Sequence, residues 1–111
     1  MGYFRAYNKL RRSRDFANVF SSRNRSSDDF FLFLVVDNNT ELARLGLAVP
    51  KKNISKAAER NKIKRLIRES FRLQKKRLKG KDIVVFVKKQ FDIKQVKIEQ
   101  ILTNHWDKMA K

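Results

Sequence analysis

Hydrophobic and polar positions alternate with clear changes of period along the chain. Phe16, Val19 and Phe20 fall at i, i+3 and i+4, which predicts one short amphipathic helix. Ser13 can cap it, with Asp15 in the first turn facing the positive end of the helix dipole. The stretch before it, residues 1–12, is polar and basic and reads as an extended, flexible lead-in. The stretch after it, SSRNRSSDD at 21–29, reads as a polar loop.

FFLFLVV at 30–36 predicts a strand that is apolar on both faces, and DNNT at 37–40 predicts a turn. ARLGLAVP at 43–50 then reads as the second strand of an antiparallel pair, ended by Pro50, which cannot donate to a ladder. A helix is expected from about 56 to 78, capped by Asn53 or Ser55 and stopped just before Gly80. DIVVFVKK at 82–89 predicts a third strand. FDIKQV then carries a helix-start signature. Asp92 and Gln95 form a capping box, and Phe91 and Val96 a hydrophobic staple. The final helix turns Ile98, Ile101, Leu102, His105 and Met109 inward, with Trp106 nearby. The order α-β-β-α-β-α predicts a single α+β domain over 1–111, a small sheet sandwiched by helices.

Charge changes the picture. The chain has 28 Lys+Arg and 11 Asp+Glu, a net charge of +17 over 111 residues. Self-repulsion of that size is relieved by a polyanion, and nucleic acid is the default partner of a small folded basic domain. With no cysteine there is no disulfide, thiolate zinc site or cysteine nucleophile. The longest apolar run is too short to span a bilayer, and the N-terminus lacks a signal-peptide core, so a cytoplasmic protein is expected.

The charge concentrates in AAERNKIKRLIRESFR at 57–72. On a wheel of ~100° per residue, Arg60, Lys64, Arg68, Asn61, Arg72 and Arg65 share an arc of ~140°. Ile63, Leu66, Ile67, Ser70 and Phe71 lie mostly opposite. A merely solvated face would mix signs to gain i,i+4 pairs. Here like charges recur along 60, 64, 68 and 72, a repulsion that phosphates would offset. Arg offers phosphate a planar fork and Lys a point charge.

ERNKIKRLIRESFR resembles the arginine-asparagine-arginine motif of the bacterial ribonuclease P protein subunit. RLGLAVPKKNISKAAERN before it, and RRSRDFANVF near the N-terminus, fit the same family, so the resemblance covers nearly the whole chain. Pro50 and the loop NISKA depart from the usual pattern. The resemblance implies a fold with a left-handed βαβ crossover, where sequence alone would suggest the commoner right-handed one. It implies the small subunit of the endoribonuclease that removes the 5′ leader from precursor tRNA, with the RNA subunit as catalyst. Magnesium ions held mainly by RNA and substrate would activate the water. Arg60, Asn61, Lys64, Arg65 and Arg68 would contact the catalytic RNA, with Arg72 extending that face. Phe16 and Phe20 would line the cleft for the single-stranded leader, with Lys51 and Lys52 placed to meet phosphates. No membrane and no further protein partner is expected.

The residues themselves predict no catalytic or metal site in the protein. The acids are dispersed, the one histidine permits no acid-base pair of histidines, and three glycines form no phosphate-cradling loop. Alternative readings are a non-catalytic basic RNA-binding protein, such as a ribosomal protein or RNA chaperone, and a membrane-surface protein, which the flanking strands argue against. The Phe16/Phe20 pair read alone is ordinary core packing.

Overall fold

The computed structural model describes residues 8–9, 13–22 and 24–110, with side chains from residue 16 onward. The elements are β1 (Asn8–Lys9), α1 (Ser13–Phe20), β2 (Arg25–Ser27), β3 (Phe31–Asp37), β4 (Arg44–Ala48), α2 (Ala57–Leu73), β5 (Lys81–Val87) and α3 (Ile98–Met109). The six expected elements appear in the expected order, and β1 and β2 are additions at the two sheet edges. The proposed Ser13 cap and the place of Asp15 concern side chains outside the described ones. So does most of the 1–12 lead-in, although Asn8–Lys9 is a strand.

The sheet order is β1-β4-β5-β3-β2. β5 inserts between β3 and β4, pairing antiparallel with β3 and parallel with β4. This corrects the expected β3–β4 antiparallel pair. Alternation of buried and exposed positions is absent from β5. Its residues Asp82, Ile83, Val84, Val85 and Val87 are all buried, the mark of a central strand covered on both faces. β4 is joined to β5 through α2, the parallel crossover that the family resemblance implies. The polar loop at 21–29 is likewise corrected, since Arg25–Ser27 pairs with Leu32–Leu34. An edge strand buries little, so it needs no apolar signature.

The larger core lies between one face of the sheet and helices α2 and α3. Phe31, Phe33, Leu45, Ile83 and Val85 meet Ile63, Ile67, Phe71, Leu102 and Trp106 there. Trp106 is fully buried and its Nε1–H donates to Ser70 Oγ at 2.7 Å, so its one polar atom is satisfied. The opposite face carries a smaller core of Val19, Leu34 and Val84, with Phe16, Leu32 and Val36 packed against it. The protein is therefore three layers, α1 on one side of the sheet and α2/α3 on the other.

The helix ends differ from the expected ones. α2 stops at Leu73, not near 78, and the chain turns through 74–80. Gly80 has φ +81°, in the left-handed region, and a Cβ there would lie 3.2 Å from the Thr40 carbonyl oxygen. Neither Asn53 nor Ser55 caps α2; the N-cap is Lys56, without a side-chain bond. Asn53 instead donates from Nδ2 to the Val87 carbonyl at 2.8 Å, fastening the β4–α2 loop to β5. Asp92 closes only a local turn, accepting from Lys94 N–H at 2.9 Å, and α3 begins later, at Ile98. In α3 the buried residues are Ile98, Leu102, His105, Trp106 and Met109, with Ile101 half-buried.

Candidate nucleic-acid interface

α2 is anchored by Ile63, Ile67 and Phe71, each fully buried. That fixes its rotation and turns the basic arc outward. Asn61, Arg65 and Arg72 are exposed, and Arg60, Lys64 and Arg68 are half-buried. Among the described residues, no α2 side chain takes part in an ion pair: the pairs are Arg44–Asp82, Arg77–Asp107, Lys79–Glu41, Lys81–Asp37 and His105–Asp28. Glu59 and Glu69 stand on α2 without bridging to its cations. Like charges at i,i+4 along such a stripe cost about 0.3 kcal/mol per pair. The helix tolerates this because its inner face is anchored.

Arg60 differs from the other five. Its Nη1 donates to the carbonyl oxygens of Ile54 at 3.0 Å and Ser55 at 2.8 Å. It clamps the loop that leads into α2, a contact that helical spacing does not reveal.

Phe16 and Phe20 lie on α1, over the sheet face opposite α2. Their rings stack at 6.5 Å with 27° between planes. Phe16 is half-buried against the small core, and Phe20 is 45% exposed. The two aromatics and the basic stripe are thus brought to different layers, not to one pocket. Register places Leu32, Phe86 and Ala48 in one row across β3, β5 and β4 on the α1 side of the sheet. Phe86 and Ala48 are only half-buried. Lys51 and Lys52 are exposed just past the β4 end of that row, on a turn in which the Pro50 carbonyl accepts from Asn53 and Ile54 N–H at 3.0 Å. The sequence alone does not single out Phe86, because a Phe inside an apolar run carries no sign of which face it joins.

Two polar networks brace this frame. Asp82, 5% exposed, accepts from both Nε and Nη2 of Arg44, and its Oδ1 also accepts from Asn38 Nδ2 at 2.8 Å. The second network contains the lone histidine, which packs against the sheet. His105 is 3% exposed and stacks on Phe33 at 4.2 Å. Its Nε2 lies 2.6 Å from Asp28 Oδ2 and its Nδ1 2.6 Å from Ser26 Oγ. Asp28 Oδ1 accepts from Phe30 and Phe31 N–H at 2.6 and 2.9 Å. Burial acts to raise the Asp28 pKa, but the bonds from His105, Phe30 and Phe31 outweigh it and hold the carboxyl below its ordinary value. An ionised carboxylate can only accept, so Nε2 carries a proton. The contacts of His105 with Ser26, Asp28 and Phe33 tie the β2–β3 hairpin to α3.

Among the described residues, no three His, Cys, Asp or Glu side chains come together as a possible metal site. No helix among them is long and apolar enough to cross a membrane.

The family model for Ribonuclease P matches residues 4–110. The Ribonuclease P protein component of Legionella pneumophila (strain Corby) is 40% identical over 108 residues, covering 96% of this chain and 93% of that protein. That of Nitrosococcus oceani is 46% identical over 74 residues, 67% of this chain and 62% of that protein. The structure of the RNase P protein from Thermotoga maritima superposes with a TM-score of 0.76 at 32% identity, covering 93% of this chain and 96% of that one. Sequence along almost the whole chain and the arrangement of sheet and helices agree: the chain belongs to the ribonuclease P protein family, the protein components of an endoribonuclease of tRNA processing.

Proposed function

We propose that the chain acts within ribonuclease P by holding two RNAs on two of its layers. The outer face of α2, through Arg60, Asn61, Lys64, Arg65, Arg68 and Arg72, binds the backbone of the catalytic RNA. The α1 layer, through Phe16 and Phe20 with Lys51 and Lys52, receives the single-stranded 5′ leader of precursor tRNA. The observation that carries this reading is the α2 face: anchored by three buried residues, donor-rich, and without ion pairs among the described residues. Such a face neutralises phosphates without reading bases. Exposed aromatic rings accept any base, which suits leaders of varying sequence.

The phosphodiester cleavage belongs to the RNA in this reading, and magnesium to the RNA and the substrate. The chain's own carboxylates do not suit that ion. Four are paired with Arg or Lys and Asp28 is bonded to His105, and no cluster of three exists among the described residues. The protein supplies binding and orientation, in the cytoplasm where precursor tRNA is matured.

The test is a titration of the matching ribonuclease P RNA at several salt concentrations. Arg65→Ala/Arg68→Ala is expected to lower the slope of log K against log salt by about two, close to one unit for each phosphate no longer neutralised. An unchanged slope and affinity would remove α2 as the RNA face.

A further inference from the structure

The cationic surface continues past the end of α2. Arg72 lies in the last helical turn, the connection to β5 carries Lys75, Lys76, Arg77 and Lys79, and Lys81 opens β5. Trp106 bonds to Ser70 of α2 at 2.7 Å, and Arg77 to Asp107 at 2.8 Å, the latter holding this connection against the C-terminal end of α3. A recess of about 370 Å³ opens at this end of the molecule. Its walls are the start of β2 with Asn24, Arg25 and Ser26, the start of β5 with Lys81, and the end of α3 with Lys108.

The charges at this end do not cancel. Asp37, Glu41 and Asp107 are each taken by one cation, Lys81, Lys79 and Arg77. Arg25 spends Nη2 on the Ser22 carbonyl at 3.2 Å, and Lys76 and Lys108 have no partner among the described residues. Among the described residues no aromatic ring lines the recess, so a base has no stacking platform there. A guanidinium fork, ammonium groups and the Asn24 amide are instead phosphate donors. The spacing of the donors is also fixed. The Ser26–His105–Asp28 network ties β2 to α3, so Arg25 and Lys108 are held across one opening.

We infer that this recess is a second phosphate site for the catalytic RNA, reached by the backbone after it leaves the α2 stripe. The site rests on the reading of α2 as the RNA face and lengthens that face around the end of the molecule. A polyanion fits better than a free anion, because the recess is continuous with a row of cations rather than enclosed.

The experiment compares Arg25→Gln/Lys108→Gln with Arg65→Ala/Arg68→Ala, binding the matching ribonuclease P RNA between about 50 and 200 mM monovalent salt. Both recess residues are exposed, so folding should be unaffected; thermal melting checks this. The recess variant is expected to lose about two units of salt slope, shrinking the ratio of affinities at the two salts roughly tenfold. Arg25→Lys/Lys108→Arg should keep the slope, and Lys94→Ala/Lys97→Ala, at the far end of α3, should leave it unchanged. A normal slope for the recess variant alongside a reduced slope for the α2 variant would overturn the recess and leave α2 as the RNA face. Normal slopes for both would overturn the α2 reading and the recess with it.

Discussion

Phe16 and Phe20 should separate folding from leader binding. Phe16 packs on Val19, Leu34 and Val84, while Phe20 is 45% exposed and stacks on the Phe16 ring. Truncating a fully buried Phe costs about 3–5 kcal/mol, so half-buried Phe16→Ala should cost about 2 kcal/mol. Phe20→Ala should cost only the ring pairing, about 0.5–1 kcal/mol. In a protein of this size the first lowers Tm by roughly 10 °C and the second by a few degrees. Binding should rank differently. Base–aromatic stacking is worth about 1–3 kcal/mol per base, so Phe20→Ala should weaken holoenzyme binding of precursor tRNA by roughly 5- to 150-fold. Mature tRNA, which has no leader, should bind as before. The assay is equilibrium binding of both RNAs to holoenzyme reconstituted with each variant, alongside thermal melts. Equal weakening for precursor and mature tRNA, or none for either, would show that Phe20 does not meet the leader. A larger loss of stability from Phe20→Ala than from Phe16→Ala would refute the packing argument.

Three further outcomes follow from the frame. Arg60→Ala should lower the urea midpoint, with about 1–2 kcal/mol of stability lost because Ile54 and Ser55 lose their donor, whereas Arg65→Ala should leave it unchanged. Gly80→Ala should cost about 1–2 kcal/mol, since alanine is strained at φ +81°, and a thermal melt reads this directly. Asp28 has its folded-state pKa below the unfolded value, so its contribution is fully present above about pH 4 and is lost as pH falls below that. Acid titration followed by circular dichroism should show a shallower loss of stability for Asp28→Asn than for the unaltered chain.

The strongest apolar runs in the sequence became β3 and β5, and the spacing of Ile63, Ile67 and Phe71 fixed which face of α2 is buried. The pairing of strands was not legible. A short turn at 37–40 suggests a hairpin from β3 to β4, but only the tertiary fold reveals that β5 fills the gap. Edge strands β1 and β2 escaped because two- and three-residue polar strands have no periodicity. Asp92 gave a true turn signal and a false helix start: its side chain caps Lys94 N–H, yet the chain delays the helix so that Ile98 reaches the core. In the candidate site, the outward arc of α2 followed from helical spacing. The role of Arg60 in the loop and the row through Phe86 depend on neighbours distant in sequence or outside the helix, which spacing along one element does not encode.

The central claim is that the protein assists a catalytic RNA through its basic and aromatic faces. The most direct measurement is cleavage of a precursor tRNA at low magnesium by the matching ribonuclease P RNA alone, by the protein alone, and by the two together. The account predicts cutting at the 5′ maturation site only by the pair, and loss of that stimulation with Arg65→Ala/Arg68→Ala. Cleavage by the protein alone, or no stimulation of the RNA by the protein, would contradict it.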